Sequence, residues 1–178
     1  PHISGVAQSY NYYPHGYIKP EDGFDVAALG LGKYVVEGHK AYRFTPRFPE
    51  ARNYSVKELF KNSQTEFLCM DLEQKEPDLP EKGENAGLVR LPIDVAEEHG
   101  TLKHLASVYD PDDDRLREGL DNYGPRVINF ANILKHNYIP LAKTLEGVLD
   151  VIREAFGTAV EIEYAVDLKK DHEGHATF

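Results

Sequence analysis

Glu161 and Glu163 are the side chains best spaced for chemistry in this 178-residue sequence. They sit in the run 159–168 (AVEIEYAVDL), where apolar and polar residues alternate. Such alternation predicts a β-strand with Val160, Ile162, Tyr164, Val166 and Leu168 on one face and Glu161, Glu163, Ala165 and Asp167 on the other. Residues two apart on a strand point the same way, with alpha carbons about 6.5–7 Å apart. Two carboxylates so placed can hold a divalent cation against phosphate oxygens, and magnesium suits such hard donors. The ordinary alternative is the solvated face of a half-buried strand.

A second candidate is Gly30-Leu31-Gly32-Lys33, between a strand candidate at 24–29 and a compact run at 33–37 that Gly38 closes. Glycines let backbone amides approach a phosphate, and a helix start favours an anion. The spacing fits neither the P-loop nor the dinucleotide fingerprint, and a plain glycine turn competes with the functional reading. Other clusters carry less. His172 and His175 are three apart in a glycine-containing turn, not four apart on a helix. Asp110, Asp112 and Asp114 alternate as in a calcium loop, but Arg115 stands where that loop needs glycine. An acidic helix start over 112–120 is expected there. Cys69, beside Leu68 and Met70, is expected to be buried and inert.

These residues need elements to position them. Strands are expected near 3–9, 24–29, 39–45, 64–72, 87–91 and 105–109, with Tyr42 and Phe44 on one face of the third. Ser55 and Glu58 form a capping box for a helix over 55–62. Pro140 opens a helix in which Leu141, Leu145, Val148, Leu149, Ile152 and Phe156 make one apolar stripe, and Gly157 ends it. The polar stretch 74–85 reads as an exposed loop.

Composition sets the class. Hydrophobic residues make up 41% and charged residues 28% of the chain, enough for a core in one α+β domain. The net charge of −10 does not attract nucleic acid or an anionic membrane, and no apolar run approaches the ~20 residues of a membrane span. A single cysteine and the lack of a signal-like opening point to the cytoplasm. Thirteen acids stand against four lysines and arginines between Asp71 and Asp114. This reads as a long acidic insertion, at about 49–121, in an otherwise near-neutral domain spanning 1–178. Its charge is costly to bury, so it is expected at the surface.

Three segments, in order, resemble the nucleotide-binding domain of phosphoenolpyruvate synthase and pyruvate phosphate dikinase: Ser4-Gly5-Val6, the run 23–38 (GFDVAALGLGKYVVEG) and the run 157–167 (GTAVEIEYAVD). The resemblance covers about sixty residues at the two ends of the chain. It implies the C-terminal subdomain of an ATP-grasp fold, a mostly antiparallel sheet with flanking helices, within a larger cytoplasmic ATP-dependent phosphotransferase. The implied ligands are ATP and Mg2+, and the other implied partners are the remaining domains of the parent chain. Carried over by position, Glu163 matches the glutamate that binds magnesium–ATP, and Glu161 the acidic position before it. Gly30 and Gly32 match the family's glycine motif. Lys33 stands where the family has glutamate, and Tyr164 where it has tryptophan. The family's upstream lysine, arginine and glycine-rich lid have no match here, nor does its downstream strand bearing glutamine and arginine. The fragment alone is therefore expected to be inactive. The alternative is a non-catalytic binding or regulatory module that keeps the fold. In either case Glu161 and Glu163 are expected to project into a cleft while Val160, Ile162 and Tyr164 pack under the 141–156 helix.

Overall fold

A computed structural model describes residues 1–51, 54–73 and 83–178. The architecture is α+β, and every pair of neighbouring strands is antiparallel. The largest sheet has four strands in the order β3 (Tyr42–Phe44), β2 (Phe24–Leu29), β1 (Ile3–Gln8), β9 (Glu161–Val166). The chain's two ends thus meet at its centre and one edge. β4 (Glu66–Met70) pairs with β5 (Leu88–Pro92), and β6 (Ala106–Asp110) lies between β7 (Arg115–Glu118) and β8 (Arg126–Ile128).

Five α-helices connect these strands among the described residues: α1 (Lys33–Val36), α2 (Val56–Asn62), α3 (Ile93–Glu98), α4 (Ala131–Leu134) and α5 (Leu141–Phe156). α2 carries the expected capping box: the Ser55 hydroxyl accepts from the Glu58 amide while the Glu58 carboxylate accepts from the Ser55 amide. Gly157 ends α5 in a left-handed conformation, its amide bonded to the Arg153 carbonyl.

The alternation along β1, β2 and β9 decides which face of the four-stranded sheet is buried. Ile3, Ala7, Ala27, Leu29, Phe44 and Val166 point inward and join Leu141, Leu145 and Leu149 of α5 in one hydrophobic cluster. Val160, Ile162 and Tyr164 pack against that cluster, as the alternation predicted. The stripe on α5 is narrower than expected. Val148 and Phe156 are exposed, because only the i, i+4, i+8 row of Leu141, Leu145 and Leu149 reaches the sheet.

Two expectations are corrected. The segment 49–121 is not surface structure around a separate core: Phe67, Ile93, Ala96, Leu102, Leu105 and Ala106 belong to the same buried cluster as the four-stranded sheet. The acids described in it are exposed or half-buried, so its apolar residues are free to pack. Buried Gln64 ties this segment to the sheet. Its amide oxygen accepts from the Leu29 amide and its nitrogen donates to the Leu29 and Glu66 carbonyls, all at 2.9 Å. The second correction concerns 112–120, which forms a β-hairpin arm and not a helix. The Asp110 carboxylate accepts the amides of Asp112 and Asp113, and Asp114 sits at φ +48°, a left-handed position that ends any helix. The loop expected at 74–85 lies outside the described residues up to residue 82.

Candidate functional site

The register of the four-stranded sheet places the two candidate groups on one face. Side chains on this face form rows across the strands. Arg43, Val26, Val6 and Glu163 make one row, from β3 to β9. Phe24, Gln8 and Glu161 make the next, and Ala28, Ser4 and Ala165 the one on the other side. Glu161, Glu163 and Ala165 are exposed, while Val6, Gln8, Phe24, Val26 and Arg43 are half-buried. The surface is an apolar strip with a guanidinium at one edge and two carboxylates at the other. Arg43 and Glu163 lie three strand spacings apart, about 14 Å between alpha carbons.

Glu161 accepts a hydrogen bond from the Gln8 side chain on the neighbouring strand. Glu163 meets no hydrogen-bonding or ionic partner among the described residues. Both glutamates project together, as expected, but onto an open sheet face and not into a cleft. A cavity of about 430 Å³ borders Arg43 and is lined also by Tyr42, Tyr54, Leu59, Ser107 and Asn129, but neither glutamate borders it. Among the described residues no group of three or more histidine, cysteine, aspartate or glutamate side chains converges as a metal-binding cluster. Two hard carboxylates on one exposed face still fit Mg2+, which keeps several water or phosphate oxygens in its shell.

The glycine turn reaches the same face. Gly32, the cap of four-residue α1, stands over the Ser4 row, 3.5 Å from Ser4 Cβ where its own Cβ would be. Gly30 is required for another reason. Its φ is +94° and a Cβ there would fall 2.5 Å from the Leu68 carbonyl oxygen. The Gly30 amide donates to the His2 carbonyl and the Leu31 amide to the Leu68 carbonyl, so these two amides hold the turn to the protein. The Gly30 carbonyl accepts from the Ser4 hydroxyl at 2.8 Å. Lys33 pairs with Glu37 one helical turn on, at 3.8 Å.

Beneath the site, on the buried face, is a polar contact that alternation alone did not reveal. The Tyr164 hydroxyl donates to Asp25 Oδ1 at 2.9 Å. Asp25 is on β2 and Tyr164 on β9, with β1 between them, so the tyrosine ring passes over Gly5. A Cβ on Gly5 would lie 2.5 Å from Tyr164 Cζ, which explains why glycine stands there. Asp25 is fully buried and its second oxygen has no partner among the described residues. Burial pushes its carboxyl well above the usual aspartate range, while the Tyr164 hydrogen bond pulls the other way. Burial likewise raises the Tyr164 hydroxyl, and the nearby Asp25 carboxyl adds to the shift. This tie spans three strands and fixes the edge strand that carries Glu161 and Glu163.

Arg43, Gln8 and Asp25 are residues that inspection of the sequence missed. Arg43 had a signal: with Tyr42 and Phe44 facing inward, the residue between them must face out. Asp25 had only the mild oddity of an acid inside an apolar strand. Cys69 is partly exposed and its thiol is raised by burial and by Asp71. The candidates at His172 and His175 lie on an exposed turn.

Comparison with protein-family models, with curated proteins and with solved structures returned no match to this chain. No described helix is long and apolar enough to cross a membrane.

Proposed function

We propose that the chain supplies the magnesium–ATP ligands of a phosphotransferase resembling phosphoenolpyruvate synthase and pyruvate phosphate dikinase, as the C-terminal part of an ATP-grasp domain. The observation that carries this reading is the convergence of Glu161, Glu163, the Gly32 turn and Arg43 on one open sheet face. They come from opposite ends of the chain, and they meet there only because β1 pairs with both β2 and β9. A nucleotide lying across this face has an apolar strip beneath it and carboxylates at one edge. Glu161 and Glu163 would hold the ion, with Gln8 orienting Glu161. Bound Mg2+ would neutralise charge on the phosphate oxygens. Transfer also needs the phosphates gripped from other sides, so this face alone binds the nucleotide and does not turn it over.

A second reading, a non-catalytic module that keeps the fold, is favoured by one observation: the Gly30 and Leu31 amides are engaged by protein carbonyls, not held out for a phosphate. Calorimetry and Mn2+ electron paramagnetic resonance with ATP test the first reading. Weak binding is expected, on the order of a millimolar dissociation constant. It should require metal and should be lost in the Glu161→Gln/Glu163→Gln double variant. Equal metal-dependent binding by that variant would remove both glutamates from the site.

A further inference from the structure

Seven of the eight arginines lie among the described residues. Six of them meet a carboxylate: Arg47, Arg90, Arg115, Arg117, Arg126 and Arg153. Arg43 does not. In a chain with thirty acids against twenty lysines and arginines, an arginine without an acidic neighbour is the exception.

Arg43 is nonetheless held in place, by uncharged groups. Its guanidinium lies over the Phe24 ring, 3.9 Å from the centroid. One Nη2–H donates to Asn11 Oδ1 at 3.0 Å. Asn11 is itself buried, and the same oxygen accepts the Tyr13 amide, so the asparagine cannot swing away freely. Stacking fixes the plane of the fork and Asn11 fixes its rotation, while most of the five N–H donors meet no acceptor among the described residues. A guanidinium fixed by neutral neighbours keeps its full charge for an outside anion. Planar fork geometry matches a tetrahedral oxyanion bidentately.

We infer that Arg43 is an anion-binding residue, its ligand a phosphate oxyanion lying on the open face between β3 and the strip formed by Val6 and Val26. The inference deepens the nucleotide reading, on which it rests for the identity of the phosphate as part of a nucleotide. Glu163, about 14 Å away across the strands, sets the direction. An anion is repelled from that edge unless a cation bridges it, and is attracted at the Arg43 edge.

The test separates the two ideas by leaving metal out. Inorganic pyrophosphate is titrated calorimetrically into the chain at low ionic strength with a chelator present. The wild-type chain should bind it, and Arg43→Gln should weaken binding by about tenfold, the size expected for losing charge-assisted hydrogen bonds. Arg43→Lys keeps the charge without the fork and should fall between the two. Glu163→Gln should leave pyrophosphate binding unchanged or tighter. No binding by the wild-type chain, or equal binding by folded Arg43→Gln and Arg43→Lys, would overturn the inference. If Arg43→Gln does not fold, the Arg43→Lys comparison decides. Loss of metal-dependent ATP binding in the glutamate variants with pyrophosphate binding intact would support both sites. Intact ATP binding in those variants beside an Arg43-dependent pyrophosphate site would remove the magnesium reading alone.

Discussion

The chain is acidic in two places, and they differ in what surrounds the acid. In the turn between β6 and β7 three of the four carboxylates are compensated locally. Asp110 bonds Arg117, Asp113 meets Arg115 and Arg117, and Asp114 reaches Lys57 and accepts from Tyr109. The Arg117 hydrogen bond, helped by two backbone amides, holds Asp110 below the ordinary aspartate range. Among the described residues the two glutamates of β9 meet no cation: Glu161 has an uncharged amide and Glu163 has nothing. Acid density therefore points to the wrong region. The turn holds more carboxylates but has committed most of their charge in folding, whereas the sheet edge has charge to spare. Arg43 shows the same logic with the sign reversed.

If the sheet edge is a built feature and not loose surface, its support should be sensitive. Gly5→Ala is the harshest probe. The added methyl overlaps the Tyr164 ring and forces it off Asp25. Overpacking of this kind costs about 1–3 kcal/mol. Leaving Asp25 with both oxygens unpaired adds about 1–3 kcal/mol more. Urea denaturation should show a loss within the sum of those ranges, with faster amide exchange along β9. An unchanged midpoint would show that the Tyr164–Asp25 tie does not hold the edge strand.

Asp25 itself gives a pH-dependent probe of smaller size. Its folded pKa is raised, so as pH climbs above the ordinary aspartate range the unfolded chain releases this proton before the folded chain does. The folded form then holds the extra proton, and stability falls with rising pH until the folded carboxyl ionises. The slope is about 1.4 kcal/mol per pH unit across that window. Asp25→Asn has no such titration, so its stability should gain on the wild type as pH rises above the ordinary aspartate range. Parallel curves for the two proteins would mean that burial does not raise the Asp25 carboxyl.

How far these features could be read in advance depends on the distance over which each is encoded. β2, β9 and the capped helices α2 and α5 rest on local alternation and local capping, and Phe24–Leu29 matched its expected bounds. The hairpin at Asp110–Arg115 was missed because side-chain bonds to backbone amides, which no periodicity reports, turned the chain there. The sharing of one core by 49–121 was hidden by its charge, since net charge says nothing about which way each apolar residue faces. Glu161 and Glu163 were visible as a pair on one strand face. The row joining Glu163 to Arg43 was not, because it depends on the register of four strands drawn from distant segments.

The smallest expected effect tests the comparison most directly. Neutralising a compensated carboxylate should hurt folding, and neutralising an uncompensated one should not. Asp110→Asn removes the negative charge facing Arg117 and leaves one amide oxygen where two carboxylate oxygens served Arg117 and the amides of Asp112 and Asp113. Its folded pKa is lowered, so the ionised carboxylate contributes stability above the ordinary aspartate range, and that contribution is lost as pH falls through the folded pKa. The variant should therefore be less stable than wild type at pH 7 and approach it in acid. Glu163→Gln removes no such partner. Its effect on stability at pH 7 should stay within about 0.5 kcal/mol in either direction, the usual range for surface substitutions. Any change should lean towards stabilisation, because it relieves repulsion from Glu161 in a chain of net charge −10. Yet the same substitution should weaken metal-dependent ATP binding if the sheet edge is a ligand site. Destabilisation of Glu163→Gln as large as that of Asp110→Asn would place Glu163 among the structural carboxylates, and the distinction between the two acidic regions would fail.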